Sequence, residues 1–232
     1  MKSKLIVLTG GSSGIGRHLL LKFLSEGYTI LNLSRRRPKP IGSLEKNLIH
    51  HSVDLSELSF TDQLSFQLAQ LRYFDCVGLI HCAGNGQITT IGEIGESEII
   101  GTINVNLTSA IVLVKCLLPY LNKTQSKVYF FGSRSRRFAY SGGVTYCATK
   151  AGLLSVADAL SLEFRDLGWN IGVTLFEFGT VASGFAQVQA SARQIPTKSA
   201  SDFVFRCFLQ SLDSFDLRVI EVVPSIVRLN HE

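Results

Sequence analysis

Tyr146 and Lys150 stand four positions apart in Tyr146-Cys147-Ala148-Thr149-Lys150, a spacing that places both side chains on one face of a helix. Such a pair suits proton transfer at a carbonyl. Reduction needs an acid to protonate the oxygen as hydride reaches the carbon. A phenol with a pKa of about 10 matches neutral pH only if a neighbour, such as an ammonium, lowers it. Taken alone, Tyr-x-x-x-Lys is also a common surface pair of helices, so its meaning depends on the rest of the chain.

A second group sits near the N-terminus. Thr9-Gly10-Gly11-Ser12-Ser13-Gly14-Ile15-Gly16 falls between an apolar run, Lys4–Thr9, and a helix-like run, Ile15–Ser25. Small residues there let the backbone turn tightly and approach a pyrophosphate, which the free N–H groups and dipole of a helix start then hold. The end of the next strand selects the dinucleotide: an acid binds the ribose 2′-hydroxyl of NAD, an arginine the 2′-phosphate of NADP. Here it reads Leu31-Asn32-Leu33-Ser34-Arg35-Arg36-Arg37, with no acid. Guanidinium groups match a phosphate dianion. NADP(H) is therefore the expected cofactor, with Arg35 and then Arg36 as contacts; a solvated basic turn is the plainer reading of the same residues.

The elements that must position these groups alternate. Strands are expected at Lys4–Thr9, Tyr28–Leu33, Leu48–Val53, Cys76–His81, Lys127–Phe131, Asn170–Phe176 and Arg218–Val223. Helices are expected at Ile15–Ser25, Glu57–Tyr73, Glu96–Leu121, Tyr146–Leu167 and near Ser201–Leu212. This order calls for an α/β fold, a doubly wound parallel sheet of about seven strands with helices on both faces. No internal repeat, low-complexity tract or linker divides the chain, so one domain over residues 1–232 is expected.

The glycine turn has the spacing Thr-Gly-x-x-x-Gly-Ile-Gly, and this resembles the cofactor signature of the classical short-chain dehydrogenases/reductases (SDRs), which share a Rossmann-type fold. The resemblance continues along residues 4 to 183. It implies cofactor contacts at Gly10, Ser12, Ser13, Gly14, Ile15 and Gly16, and at Asp54 and Leu55 after the third strand, where an Asp meets the adenine. A helix N-cap is the other reading of Asp54. Ser133, thirteen residues before Tyr146, matches the family serine that polarises the substrate carbonyl. Asn106 matches the family asparagine that supports a water-linked proton relay to the lysine, and fits that slot better than Asn104. The resemblance makes Tyr146 the acid in reduction and the base in oxidation. Lys150 would hold the nicotinamide ribose and depress the Tyr146 pKa.

Several positions depart from the family pattern. Its usual Asn-Asn-Ala-Gly is His81-Cys82-Ala83-Gly84; Ala83 and Gly84 keep the approach to the cofactor, while His81 and Cys82 read as packed strand-end residues. The usual Pro-Gly is Phe178-Gly179, followed by Val181 and by Ser183, where a threonine would bond the carboxamide. Loss of the proline would loosen that loop, or Phe178 would line the pocket. A short substrate lid is expected at 184–197. The C-terminal Glu221-Val222-Val223-Pro224 lacks the Asp-Gly-Gly ending of the fatty-acid and sugar-alcohol members. Arg134, Arg136 and Arg137 make the segment after Ser133 basic, and suit an anionic substrate or else a solvated or inter-subunit loop.

Composition sets the outer limits. With a net charge of +5, 46% hydrophobic and 18% charged residues, the chain is too apolar for disorder. The basic residues fall in two short loops rather than a stripe with interleaved aromatics, so nucleic acid is not an expected partner. The longest apolar stretch, Ile99 to Leu121, is interrupted by Asn104, Asn106 and Lys115; no membrane association is expected. Five scattered cysteines with no Cys-x-x-Cys pair argue against a disulfide framework and against a metal site, and suit a reducing cytoplasm. Small or apolar residues around much of Ile99–Leu118 and Ala148–Leu162 predict a homodimer or homotetramer. The expected activity is NADPH-dependent reduction of a ketone or aldehyde. An alcohol dehydrogenase working oxidatively, or a dinucleotide-binding regulator without turnover, are the alternatives.

Overall fold

The first strand, β1 (Lys4–Thr9), shows no alternation: Leu5 to Thr9 are all buried, as befits a strand covered on both faces. The computed structural model describes residues 2–86, 88–122, 125–184, 194–210 and 217–224. Around β1 it builds a seven-stranded, wholly parallel sheet in the order β3-β2-β1-β4-β5-β6-β7. The other strands are β2 (Thr29–Leu33), β3 (Leu48–His51), β4 (Asp75–His81), β5 (Ser126–Phe131), β6 (Ile171–Phe178) and β7 (Val219–Val222). Connections from β1 run outward on one side and from β4 on the other. The crevice between the carboxyl ends of β1 and β4 is thus the topological switch point where open α/β sheets bind ligands.

Helices cover both faces. α1 (Gly14–Ser25) and α6 (Thr197–Leu209) pack on one, around Leu19, Leu20, Phe23, Val204 and Phe208. On the other lie α2 (Phe60–Gln70), α3 (Glu96–Ile103), α4 (Ser109–Leu117) and α5 (Val144–Asp166), around Phe60, Leu64, Leu113, Leu117, Leu153 and Phe164. The expected α/β architecture is the observed one.

Several boundaries differ, each for a local reason. The expected helix Glu96–Leu121 ends at Leu117, shortly before Pro119, and is broken by one π-helical turn, Asn104–Thr108. By length and composition, Glu96–Leu117 is apolar enough to cross a membrane. Here Ala110, Leu113, Val114 and Leu117 are buried in the fold, while Ile100, Ile103 and Ile111 are exposed. α2 begins at Phe60 rather than Glu57 because residues 54–57 form a separate turn. α6 begins at Thr197, directly after Pro196. Positions 211 and 212 of the expected last helix lie outside the described residues.

Candidate active site

The glycine turn lies at the switch point, and its small residues are demanded by contact. Gly10 has φ +72°, and a Cβ there would stand 3.0 Å from the Ala83 backbone. At Gly16 a Cβ would fall 2.4 Å from the Gly10 carbonyl oxygen, so no larger residue closes this turn. Ala83 N–H donates to Thr9 Oγ1 at 2.9 Å, which ties the end of β4 to the end of β1. Ser13 makes no side-chain cap, and Ser12 and Gly14 are half-buried beside it. Ser183 comes back from the far side of the sheet to stand against Gly14. Ile15 packs beneath the turn.

Asn32 holds this turn to β2, a role the sequence reading missed. Its Oδ1 accepts from Gly11 N–H at 3.0 Å, its Nδ2 donates to Ser34 Oγ at 2.9 Å, and His50 Nδ1 stands 3.0 Å away. The signal was available: an amide in the apolar run Ile-Leu-Asn-Leu must find partners when buried. Ser34 Oγ in turn donates to Arg36 O, and Ser52 Oγ to Arg35 O, both at 2.9 Å, so the backbone of the basic loop is fixed. Arg37 is engaged by Glu45 at 3.3 Å. The side chains of Arg35 and Arg36 are exposed and, among the described residues, form no ion pair.

Asp54 is not a helix N-cap. Its Oδ1 accepts from Ser56 N–H at 3.0 Å and Ser56 Oγ at 2.8 Å, closing a turn before α2. Burial pushes this carboxyl up, but the two Ser56 bonds and the Arg35 charge outweigh it and hold the pKa below its ordinary value. Leu55 points into the core.

Ser133, Tyr146 and Lys150 converge at the carboxyl end of β5. Ser133 hydrogen-bonds the Tyr146 hydroxyl. Lys150 Nζ donates to the Phe131 carbonyl at 2.6 Å and lies 5.6 Å from the centre of the Tyr146 ring. Burial pushes the phenol up to about 12, against the Ser133 bond, which lowers it. Burial likewise pushes Lys150 down to about 8, with Cys82 pulling the other way. The expectation that Lys150 depresses the Tyr146 pKa is thus not met in this structure, because desolvation of the phenol dominates.

Asn106 sits in the π-turn and is fully used. Its Oδ1 accepts from Asn85 N–H and its Nδ2 donates to Asn85 O, each at 2.7 Å, and Nδ2 also reaches Thr149 Oγ1 at 3.1 Å. Thr149 Oγ1 donates to Tyr146 O at 2.8 Å. A chain of contacts therefore runs from the loop after β4 to the Tyr146 backbone. Asn104 serves elsewhere, donating to Ser56 O at 2.8 Å.

The departures from the family pattern are structural in character. His81 is buried, with Nε2 2.8 Å from Ser109 Oγ. Ser109 Oγ donates to Val105 O, so the imidazole N–H is the donor in that contact. Burial, then the Lys150 charge, push His81 down to about 3, and burial pushes the Cys82 thiol up to about 12. A neutral imidazole and a neutral thiol make neither an acid nor a nucleophile at pH 7. Phe178 stacks on Phe131 and Phe176, at 6.2 Å in each case, inside the core. It is 7% exposed, and Gly179 N–H donates to Val222 O at 2.8 Å, which ties the start of the following loop to β7. Val181 pairs with Ile195, and Thr197 Oγ1 donates to Ala182 O at 2.6 Å. Of the expected lid 184–197, positions 185–193 lie outside the described residues.

The three arginines after Ser133 are already partnered. Arg136 forms a two-pronged pair with buried Glu177, Nη2 lying 2.9 Å from Oε2. Arg134 Nε meets Glu221 at 3.2 Å, and Arg137 reaches Glu221 at 3.8 Å. The side chains of Arg134 and Arg137 stay about half exposed, at 46% and 51%. Glu177, alone among the apolar residues of β6, was the overlooked signal.

The arrangement can hold a dinucleotide over the switch point and present a hydroxyl pair, Ser133 and Tyr146, to a polar atom beside it. The contact at Gly16, the uncapped start of α1 and the exposed side chains of Arg35 and Arg36 all fit a nicotinamide dinucleotide.

Comparison with known proteins agrees with this geometry. The family model for short chain dehydrogenase matches residues 4–194. The benzil reductase ((S)-benzoin forming) of Bacillus cereus is 24% identical over 200 residues, covering 82% of this chain and 80% of that protein. A 4-hydroxyisoleucine dehydrogenase complexed with NADH superposes with a TM-score of 0.83 at 19% identity, covering 96% of this chain and 98% of the other. The closed form of a serine dehydrogenase complexed with NADP+ gives 0.80 at 19% identity, covering 98% and 99%. A seven-stranded sheet with the glycine turn at its switch point, Ser133 against Tyr146 and a family match over residues 4–194 together place this chain in the classical short-chain dehydrogenase/reductase family of oxidoreductases.

Proposed function

We propose that the chain is an NADPH-dependent carbonyl reductase, converting a ketone or aldehyde to an alcohol. The observation that carries this reading is the Ser133–Tyr146 hydroxyl pair beside the buried Lys150. Gly10, Ser12, Ser13, Gly14, Ile15 and Gly16 would carry the pyrophosphate, Arg35 and Arg36 the 2′-phosphate, and Asp54 and Leu55 the adenine side. Ala83 and Gly84 would lie along the ribose with Lys150, and Gly179, Val181 and Ser183 beside the carboxamide. The bound dinucleotide supplies the hydride; the protein supplies position and the proton.

Ser133 Oγ hydrogen-bonds the substrate oxygen and fixes it beside Tyr146. Tyr146 Oη then gives its proton to that oxygen as negative charge develops. Lys150 holds the ribose hydroxyls, and Asn106, as the family implies, supports the water-linked return of the proton to Lys150. Burial keeps the Tyr146 phenol protonated across the neutral range, so the proton that reduction needs is in place. Among the described residues the five cysteines form no disulfide, which suits a reducing cytoplasm.

Fluorescence titration with NADPH and NADH, repeated on Arg35→Ala, tests the cofactor. NADPH should bind at least about tenfold more tightly, and Arg35→Ala should erase the difference. Equal or preferred binding of NADH would refute the assignment of the basic loop. Oxidation of NADPH with a panel of small carbonyls then tests the reaction; tight binding with no turnover on any of them would favour a dinucleotide-binding regulator.

A further inference from the structure

Glu177 is the single charged residue of β6, and its side chain is 1% exposed. A carboxylate so placed is costly unless a cation meets it with good geometry. Arg136, 11% exposed, meets it with Nε on Oε1 and Nη2 on Oε2, a planar fork that fixes both distance and angle. Glu221 is the cross-strand neighbour of Glu177 in the β6–β7 register, and takes Arg134 and Arg137. Three arginines and two glutamates thus close the carboxyl end of β5, β6 and β7.

Each end of the fork leads directly to a part of the site. On the arginine side, Arg136 N–H donates to Ser133 O at 3.2 Å, and Ser133 Oγ accepts from Ser135 N–H at 3.2 Å. One short turn, Arg134–Arg136, therefore separates the fork from the Ser133 hydroxyl. On the glutamate side, Phe178 and Gly179 follow at once and open the loop that brings Ser183 to Gly14. A buried ion pair adds little to stability compared with an apolar pair of the same volume, but it can specify one geometry.

We propose that Arg136 and Glu177 are positioning residues, whose fork holds the Ser133 turn in register with the loop on the cofactor side. This rests on the reading of Ser133 as the group that hydrogen-bonds the substrate carbonyl.

The test replaces both partners, Arg136→Met with Glu177→Leu, so that no buried charge is left alone. Hydrogen exchange of residues 133–138 should quicken about tenfold or more, while the melting temperature and the NADPH titration stay close to wild type. Turnover of the best carbonyl should fall about tenfold in kcat, and the same pair of replacements should cost less than about twofold in a Ser133→Ala background. Arg136→Lys keeps the charge without the fork and should lose kcat as the double variant does, which also covers a double variant that fails to fold. Unchanged exchange, an equal loss in the Ser133→Ala background, or full activity of Arg136→Lys would each overturn the proposal. If the wild-type protein reduces no carbonyl, the function of Ser133 is refuted separately, and the exchange measurement still decides whether the fork holds the turn.

Discussion

Tyr146 and Lys150 are moved in opposite directions by the same cause. Desolvation raises the phenol to about 12 and lowers the ammonium to about 8, because each loses its charged form when water is removed. Across the neutral range the phenol keeps its proton. Lys150 instead loses its charge as pH rises through about 8, well before Tyr146 responds. The pH profile of kcat/KM for reduction should therefore be flat near neutrality and fall above about 8, and Lys150→Arg should move that limb upward. A profile that stays flat to a pH of about 10 would contradict the assignment of the limb to Lys150. Most of these residues were legible in the sequence, since Ser133, Tyr146 and Lys150 announce themselves by type and spacing. Asn32, Asn85, Thr149 and Glu177 did not: each acts by touching a residue distant in sequence, and spacing carries no information about that.

The element that shapes the site most is the π-turn Asn104–Thr108 in the helix that spans residues 96–117. Asn104, Asn106 and Thr108 interrupt the apolar pattern there, but polar residues inside a helix do not by themselves announce a π-turn, so a single helix was read through it. Its effect is on Asn106, whose amide closes two 2.7 Å bonds with the Asn85 backbone and a third contact with Thr149. Asn106→Ala would leave the half-buried N–H and C=O of Asn85 without this partner, and should cost roughly 1–3 kcal/mol by denaturant unfolding. A loss within about 0.5 kcal/mol would mean that water replaces the amide and that the turn is held by packing alone. The strands, by contrast, were read almost to the residue, because their continuous apolar runs are bounded by Gly, Pro and charge. The partners of the arginine turn after β5 were not legible for the converse reason: Glu177 and Glu221 lie on strands forty and more residues later.

At the scale of the molecule, the doubly wound parallel sheet gathers the carboxyl ends of β1 to β6 on one edge, and every proposed contact follows from that gathering. The opposite consequence is an outer surface on α3, α4 and α5 that keeps Ile100, Ile103, Ile111 and Leu162 exposed. We expect a second copy to cover it, so that light scattering gives at least twice the chain mass of 25.5 kDa. A mass of one chain across micromolar concentrations would contradict this. The central claim, proton donation by Tyr146 in an NADPH-dependent reduction, is tested most directly by a single turnover. Enzyme loaded with one equivalent of NADPH is mixed with the best carbonyl of the panel, and the loss of nicotinamide absorbance is followed for wild type and Tyr146→Phe. The account predicts rapid oxidation by wild type, and a rate at least about a hundredfold slower for Tyr146→Phe at unchanged NADPH affinity. Equal rates for the two proteins would contradict it.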